Sequence, residues 1–164
     1  MLVRDIMHTE VKTATADTTI REVAVLMCFN KISGVPVVDR GNGVVGVISE
    51  KDILRAMYPQ VDEYMRDGRP DFEDLEGQYR DILNLEVRDL MTPMVYTVAP
   101  DDPILKAASI MSAYQIRRIP VAVGNRLVGI VSIGDVHKAI FKNNLDLPAA
   151  RQRDAHAPAL RLAV

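Results

Sequence analysis

The chain has 164 residues, of which 48% are hydrophobic and 26% are charged, and its formal net charge is −2. A chain of this length normally forms one domain, and the apolar fraction is sufficient for a packed core, which excludes global disorder. The nearly balanced charge and the low aromatic content (5%) argue against a nucleic-acid partner, which requires a basic face or stacking rings. The single cysteine, Cys28, excludes an intramolecular disulfide and a cysteine-based zinc site.

Targeting and catalytic signals are also missing from the sequence. No window approaches the roughly 18 uncharged apolar residues of a membrane helix. The opening MLVRDIMHTEV carries charges where a signal peptide needs an apolar core. We therefore expect a cytoplasmic protein with no membrane contact. No P-loop, nucleophile elbow, H-E-x-x-H motif or dinucleotide glycine fingerprint occurs, so we expect no enzymatic activity and assign no catalytic residue or metal ligand.

An internal duplication organises the chain. The sequence VRDIM at 3–7 returns as VRDLM at 87–91, and 20 of the 55 positions in 3–57 are identical in the second copy. A repeat at this spacing indicates two copies of one structural unit. One unit of about 55 residues buries only a marginal core, so two units packed face to face about a pseudo-twofold axis are expected.

Each copy has the same predicted elements in chain order. Apolar residues at helical spacing follow Thr18, and Cys28 on that helix is expected to pack as a small hydrophobe. Asp102 is predicted to cap the corresponding helix of the second copy, with Pro103 at its first position. The pattern is βαββα: an extended segment at Val11–Thr15, a helix, strands at Val35–Asp39 and Val44–Ile48 with second copies at Ile119–Val123 and Leu127–Val131, and helices after Ser49 and Ser132.

These motifs resemble the cystathionine-β-synthase (CBS) domain family, whose tandem pair is called a Bateman module. The resemblance rests on the stretches GVPV (34–37) with GVISEKD (46–52), and RIPV (118–121) with GIVSIGD (129–135), and covers about 2–57 and 86–142. It implies an α/β (α+β) fold of two βαββα repeats packed through their sheets about a pseudo-twofold axis. We divide the chain into repeat 1 (1–58), an acidic connecting segment (59–85), repeat 2 (86–143) and a flexible C-terminal tail (144–164).

The resemblance also implies a role. Such pairs bind adenosine-containing ligands, namely AMP, ADP, ATP or S-adenosylmethionine, regulate another protein and associate as disc-like homodimers. The chain is therefore expected to be a sensor whose ligand state a regulated protein reads, with no required cofactor. The alternative is a ligand-independent dimerisation or interaction module.

Two S-x-x-D motifs, Ser49 with Asp52 and Ser132 with Asp135, precede the last helix of each repeat. This spacing is typical of a capping box, in which the acid also suits the helix dipole. The resemblance implies a second role, in which each aspartate accepts hydrogen bonds from both ribose hydroxyls. A carboxylate suits a vicinal diol because it offers two acceptor oxygens. The two roles are compatible, since capping holds the carboxylate in place.

The resemblance further implies two clefts, each combining the acid of one repeat with the first strand and pre-proline turn of the other, whose backbone contacts adenine. The Asp52 cleft would consist of Ser49, Asp52, Val95, Thr97, Arg117, Arg118, Ile119 and Pro120. The Asp135 cleft would consist of Ser132, Asp135, Val11, Lys12, Thr13, Ser33, Gly34, Val35 and Pro36.

Charge distinguishes the two predicted clefts. Arg117 and Arg118 can form charge-assisted bonds to phosphate, or can be solvated surface charges. We therefore expect the Asp52 cleft to prefer a phosphorylated adenosine, and the Asp135 cleft to suit a nucleoside-like group or stay empty. The segment 58–86 holds nine acids against three arginines, which fits a solvated linker or a docking surface for a basic partner.

Overall fold

The computed structural model describes residues 1–59, 80–93 and 95–145, together with residues 66, 73 and 77. After a 3₁₀ turn at Val3–Asp5, the first unit contains α1 (Ile20–Asn30), β1 (Gly34–Val38), β2 (Val44–Ser49) and α2 (Glu50–Met57). The second repeat opens with α3 (Val87–Leu90) and β3 (Thr92–Pro93), and β3 adds a third strand to the sheet of the first unit in the order β1-β2-β3. The second unit contains α4 (Ile104–Ala113), the two-stranded sheet of β4 (Arg118–Val123) and β5 (Arg126–Ser132), and α5 (Ile133–Leu145). The predicted mixed α/β architecture is confirmed.

The first strand of each βαββα unit is much shorter than predicted. Within the described residues it amounts to one parallel bridge per unit, Ala14 with Val37 and Val98 with Val121. Each bridge carries two backbone hydrogen bonds; in the first unit, Ala14 N donates to Pro36 O (3.1 Å) and Val38 N donates to Ala14 O (2.9 Å). The extended segment therefore lies along β1 without forming a longer ladder.

Helix α1 begins and ends through side-chain and backbone capping. Thr19 caps its start by accepting a hydrogen bond from Glu22 N (3.3 Å), and the Glu22 carboxylate accepts one from Thr19 N (2.8 Å). Lys31, in the left-handed conformation with φ 52°, ends it. The buried stripe is Ile20, Val23 and Met27. Cys28 lies one residue beyond this stripe and is exposed, so its predicted burial is wrong.

Helix α4 starts one residue later than predicted. Pro103 occupies the cap position. The Asp102 carboxylate instead accepts a hydrogen bond from Ala99 N (2.8 Å) and forms an ion pair with Lys106 (2.9 Å). Asp102 therefore stabilises the turn that leads into the helix, together with its first turn.

The two hairpins place the S-x-x-D motifs. β1 pairs antiparallel with β2 and β4 with β5, so that Gly34 lies opposite Ser49 and Arg118 opposite Ser132. Each serine ends its strand, and the last helix of the unit begins at the next residue. The pre-proline turn and the start of this helix are therefore neighbours in both units.

The opening segment of each repeat packs in the other unit. Val3 N donates to Asp102 O (2.9 Å), and at the equivalent position Val87 N donates to Thr18 O (2.8 Å). Both valines are fully buried: Val3 lies in the core cluster of the second unit and Val87 in that of the first. The repeats exchange their first residues, so neither unit completes its core with its own repeat alone.

The second strand of each hairpin, β2 or β5, contains a glycine where the opening segment of the other repeat packs against it. A Cβ at Gly129 would lie 2.9 Å from Met7 Sδ and 3.0 Å from His8 O, and one at Gly46 would lie 2.9 Å from both Met91 Sδ and Thr92 O. These contacts occur because His8 bridges Ile130 while β3 pairs with β2. Glycine is required where two backbones approach this closely.

We expect Gly129→Ala to lower the free energy of unfolding by about 1–3 kcal/mol, because the backbone carbonyl of His8 must move. Urea denaturation checks this. Gly134→Ala is the matched control: its Cβ would meet Ser132 Oγ at an ordinary 3.6 Å, and alanine favours the helix, so this variant should be unchanged or more stable. Equal losses in both variants would contradict the close-packing argument.

The two units also meet at their hairpin tips. Val44 N donates to Asn125 O and Leu127 N to Asn42 O, both at 2.9 Å. Val38 joins Val44 and Leu127 in a small buried cluster between the units. These equivalent contacts relate the two units by a pseudo-twofold axis.

The end of the connecting segment packs on the first unit. Ile82 is 4% exposed and belongs to the first unit's core, and Leu85 O accepts a hydrogen bond from Ile20 N (2.9 Å). The expectation of a solvated linker is therefore wrong for this end. The predicted docking surface lies mostly outside the described residues, as does the tail beyond Leu145. In the part of the chain that is described, no helix is long and apolar enough to span a membrane.

Candidate functional site

A cavity of about 610 Å³ lies between the two units at the Asp135 cleft. The first unit contributes Gly34 at the start of β1, Ile32 before it and residues 7–12 of the extended segment. The second contributes Arg118 of β4, Ile130 and Ser132 of β5, and Asp135 in the first turn of α5. Because the opening segment crosses to β5, the cavity has walls from both units.

Asp135 is held rigidly at the floor of this cavity. Its Oδ2 accepts hydrogen bonds from Ser132 N (2.9 Å) and Ser132 Oγ (2.6 Å), and Asp135 N donates to Ser132 Oγ (3.2 Å). The capping box is therefore formed as the spacing predicts. His8 Nε2 lies 3.3 Å from the other oxygen, Oδ1, and the His8 side chain is 68% exposed. A ligand hydroxyl can reach Oδ1 by displacing or sharing this exposed ring.

The pKa of Asp135 lies below its usual value. Burial raises the pKa, but hydrogen bonds from the Ser132 hydroxyl and amide, together with His8, lower it by more. The carboxyl is therefore ionised at neutral pH, and both of its oxygens are acceptors.

The lowered pKa makes stability depend on pH. A group whose pKa is lower in the folded state contributes stability above its unfolded pKa and loses it as the pH falls through the folded value. We expect the free energy of unfolding of the native chain to fall more steeply below about pH 4 than that of Asp135→Asn. Urea denaturation between about pH 3 and 7 measures both slopes. Identical slopes would contradict this role of Asp135.

The other walls of the cavity combine apolar side chains with open backbone. Val11, Ile32 and Ile130 are half-buried, and Gly34 has no side chain beyond its Cα. Such a pocket takes a flat apolar ring between aliphatic groups, with backbone polar groups at the ring edge. Together with an ionised carboxylate, it has the chemistry needed to hold a heteroaromatic ring joined to a vicinal diol.

Arg118 lies on a different side from the one predicted. We expected it in the Asp52 cleft, but its side chain lines the Asp135 cleft, where Nη1 donates a hydrogen bond to Ser33 Oγ across the pseudo-twofold axis. Its backbone pairs with Ser132, so its direction follows from its place at the start of β4. Of the two predicted arginines, the structure therefore places the side chain of Arg118 at the Asp135 cleft.

The remaining predicted residues of the Asp135 cleft divide into two groups. Val11, Lys12, Gly34, Ser132 and Asp135 line the cavity. The lining set of this cavity does not include the other four predicted residues, Thr13, Ser33, Val35 and Pro36. Two of these are buried in β1, and Ser33 instead binds Arg118.

The predicted residues of the Asp52 cleft occupy equivalent places in the fold. Ser49 N and Oγ donate to Asp52 Oδ2 at 2.8 and 2.6 Å, which repeats the geometry around Asp135. Val95 and Thr97 are half-buried on the extended segment, while Ile119 and Pro120 are buried in β4. Arg117 is exposed, and its carbonyl accepts a hydrogen bond from Ile133 N (3.0 Å).

Sequence reasoning missed several lining residues. Met7, His8, Thr9 and Glu10 line the cavity because the opening segment crosses between the units, which no local pattern indicates. Ile32 and Ile130 each lie two residues from a predicted site residue, Gly34 and Ser132. The two-residue period of extended chain could have identified both.

Comparison with known proteins assigns the family. The CBS domain model matches residues 3–59 and 87–142. The chain is 32% identical to protein MJ1426 of Methanocaldococcus jannaschii over 156 residues, covering 86% of this chain and 92% of that protein. It is 31% identical to the CBS domain-containing protein YhcV of Bacillus subtilis, covering 82% and 81%.

A solved structure supports the same assignment. The CBS domain pair of protein MJ0100, in complex with 5′-methylthioadenosine and S-adenosyl-L-methionine, is 26% identical to this chain with a TM-score of 0.67, covering 87% of this chain and 98% of that one. Two matched repeats, exchanged opening segments and a shared cleft thus lead to one conclusion: the chain belongs to the CBS domain family.

Proposed function

We propose that this chain is a regulatory module that binds an adenosine-containing ligand in the Asp135 cleft and passes its ligand state to a partner protein. The observation that carries the proposal is the ionised, preorganised Asp135 carboxylate at the floor of a cavity of about 610 Å³ between the repeats. The similar MJ0100 domain pair, which binds 5′-methylthioadenosine and S-adenosylmethionine, supports the ligand class. In this proposal the chain is a sensor, not a catalyst, and needs no cofactor.

Each part of the ligand has a matching wall. The Asp135 carboxylate would accept hydrogen bonds from both ribose hydroxyls, since it offers two acceptor oxygens. Adenine would lie between the aliphatic side chains of Val11, Ile32 and Ile130, with its edge against the backbone near Gly34. The capping and binding roles of Asp135 are compatible, because the hydrogen bonds from Ser132 hold the carboxylate that the ribose would contact.

Ligand binding would act on the relative orientation of the two units. The cavity is lined by Val11 and Gly34 of the first unit and by Ser132 and Asp135 of the second, so a bound ligand contacts both. A ligand shifts a conformational equilibrium only through its different affinity for the two states. A ligand that bridges the units stabilises the orientation in which both walls fit it, and a partner that recognises this orientation reads the ligand state.

We also propose a homodimer as the assembly that presents this signal, with the chain acting in the cytoplasm. Apolar side chains are exposed on the helices of both units: Phe29 (84%) and Val25 (49%) on α1, Leu54 (50%) on α2 and Phe141 (56%) on α5. Helix faces of this kind support association with a second copy. Sedimentation velocity checks the assembly: a dimeric mass is expected, and a monomer at all concentrations would contradict it.

A thermal-shift panel tests the proposed function. Ligands that bind only the native state raise the melting temperature, and the rise grows with the logarithm of the ligand concentration above the dissociation constant. We expect at least one of AMP, ADP, ATP, S-adenosylmethionine and 5′-methylthioadenosine to raise it, while guanosine monophosphate and a short single-stranded RNA do not. No shift with any adenosine compound at millimolar concentration would overturn the proposal and favour the ligand-independent interaction module.

A further inference from the structure

We propose that the two clefts take ligands of different charge: the Asp135 cleft takes a phosphorylated adenosine, and the Asp52 cleft takes an adenosine derivative without phosphate. The inference rests on the proposed function and reverses the assignment made from the sequence. It follows from a comparison of equivalent positions in the two units.

The pseudo-twofold axis makes this comparison possible. His8 bridges Ile130 in the second unit, and Thr92 pairs with Val47 in the first, at the equivalent place. The carboxylates of Asp135 and Asp52 have the same hydrogen bonds from their serines within 0.1 Å. The walls can therefore be compared position by position where both equivalents are among the described residues, and a difference in side-chain charge becomes a difference in ligand preference.

The Asp135 cleft carries three basic side chains. Lys12 and Arg118 line the cavity, and His8 lies beside the Asp135 carboxylate. Lys12 is exposed, and no ion pair to it is found among the described residues. Ser33 Oγ is a neutral partner for Arg118, and no carboxylate in the described part of the chain forms an ion pair with the guanidinium, which has further N–H groups to donate. Glu10 adds a carboxylate to the wall, and Lys12, two residues along, offsets it.

At the Asp52 cleft, the positions equivalent to His8, Lys12 and Arg118 are uncharged, whereas Arg117 stands, exposed, at the position of Ser33. Thr92 stands at the position of His8, and Tyr96 at that of Lys12. Gly34, the equivalent of Arg118, has no side chain to offer to the Asp52 cleft. A phosphate placed near Asp52 would therefore meet a carboxylate without the cations that compensate for it at Asp135.

Tyr96 gives the Asp52 cleft an aromatic edge instead. It is 47% exposed and stacks on Tyr114, with ring centroids 3.9 Å apart. Aromatic faces attract cations and apolar groups, and the neutral Tyr96 hydroxyl, although a hydrogen-bond donor, brings no positive charge to a dianion. The chemistry of this edge suits a neutral thioether or a positively charged substituent at the 5′ position of the nucleoside.

Isothermal titration of the full chain with AMP, adenosine and 5′-methylthioadenosine tests the assignment. Asp135→Asn should weaken AMP binding about a hundredfold, and Asp52→Asn should weaken it less than about twofold. For 5′-methylthioadenosine, Asp52→Asn should cause the large loss of affinity and Asp135→Asn the small one. Arg118→Ala should weaken AMP binding about ten- to a hundredfold and leave adenosine binding within about twofold, since the loss is that of a charge-assisted bond to phosphate.

Two further variants keep the test decisive. Lys12→Gln, at an exposed position, tests the phosphate contact even if Arg118→Ala fails to fold, and should weaken AMP about threefold relative to adenosine. Arg126→Ala removes an equal charge from the exposed end of β5 and should change neither affinity. Thermal denaturation of each variant shows whether it is folded.

The outcomes separate the inference from the proposed function. If none of the three compounds binds the native chain, the proposed function and the inference both fail. If adenosine binds as tightly as AMP in Asp52→Asn, where the Asp135 cleft is the one left intact, or if the ratio of their affinities is the same in Arg118→Ala, Lys12→Gln and Arg126→Ala, the proposed function stands and the inference is overturned. AMP binding that depends on Asp52 or Arg117 instead of Asp135 would also overturn it.

Discussion

Asp135→Asn is expected to weaken AMP binding by about a hundredfold, or about 3 kcal/mol, while the chain remains folded. The carboxylate of Asp135 is fixed by Ser132 N and Oγ, and its Oδ1 faces only the exposed ring of His8. The amide oxygen of asparagine would take the place of Oδ2 and accept from Ser132 N and Oγ, which puts the NH₂ group in the place of Oδ1, where it donates and cannot accept from the ribose hydroxyls. Ser132 remains the N-cap and still accepts a hydrogen bond from the backbone N of residue 135, so the helix start survives. Isothermal titration measures the effect.

Asp102→Asn is the matched control for this variant. Asp102 also accepts a backbone amide hydrogen bond before a helix, from Ala99 N, but lies outside the cavity lining. It should leave AMP affinity within about twofold, since a surface ion pair with Lys106 contributes little. Equal losses in both variants would mean that general destabilisation, not the sugar contact, explains the effect of Asp135→Asn.

Val3→Asp is expected to lower the free energy of unfolding by about 4 kcal/mol or more, and so to unfold most of the chain. Val3 is three residues from the start of the sequence, yet it is 0% exposed in the core of the second unit. A carboxyl group there has no partner charge and either stays neutral or displaces the segment. Circular dichroism and urea denaturation measure the loss.

A control at the surface makes the Val3 result specific. Val123, at the end of β4, is 60% exposed, so Val123→Asp should change the free energy of unfolding by no more than about 0.5 kcal/mol. If Val3→Asp were tolerated as well as Val123→Asp, the opening segment would not be part of the second core, and the exchange between units would be wrong.

Much of the fold was predictable because the chain repeats itself. The helix and hairpin positions follow from local signals, such as the apolar stripe of α1 and the Gly-Asn turns, and both copies agree on them. The S-x-x-D capping boxes at Asp52 and Asp135 formed as their spacing predicts, since capping depends only on residues four apart or fewer.

The exchange of the opening segments could not be predicted from such signals. Val3 and Val87 lie in short stretches of mixed polarity, LVRDIM and EVRDLM, and nothing local indicates that each valine completes the core of the other unit. The segment around Ala14 has the sequence pattern of a longer strand, although it forms only one bridge in the described structure. Long-range pairing of this kind depends on the tertiary contacts that local propensity does not contain.

Side-chain direction limited the prediction of the candidate site. The position of Arg118 in the sequence does not indicate which cleft its side chain enters, and its place is set by its pairing with Ser132 and its hydrogen bond to Ser33. Cys28 shows the same limit: it directly follows the buried Met27, and a rotation of about 100° along the helix decides whether it is core or surface.

The position of AMP in a crystal structure of its complex with this chain tests the central claim most directly. We predict that the ribose hydroxyls lie within hydrogen-bond distance of the Asp135 carboxylate, that adenine lies against Gly34 and that the phosphate faces Arg118. Nucleotide bound elsewhere on the surface, or an Asp135 cleft that remains empty at saturating AMP, would contradict the account.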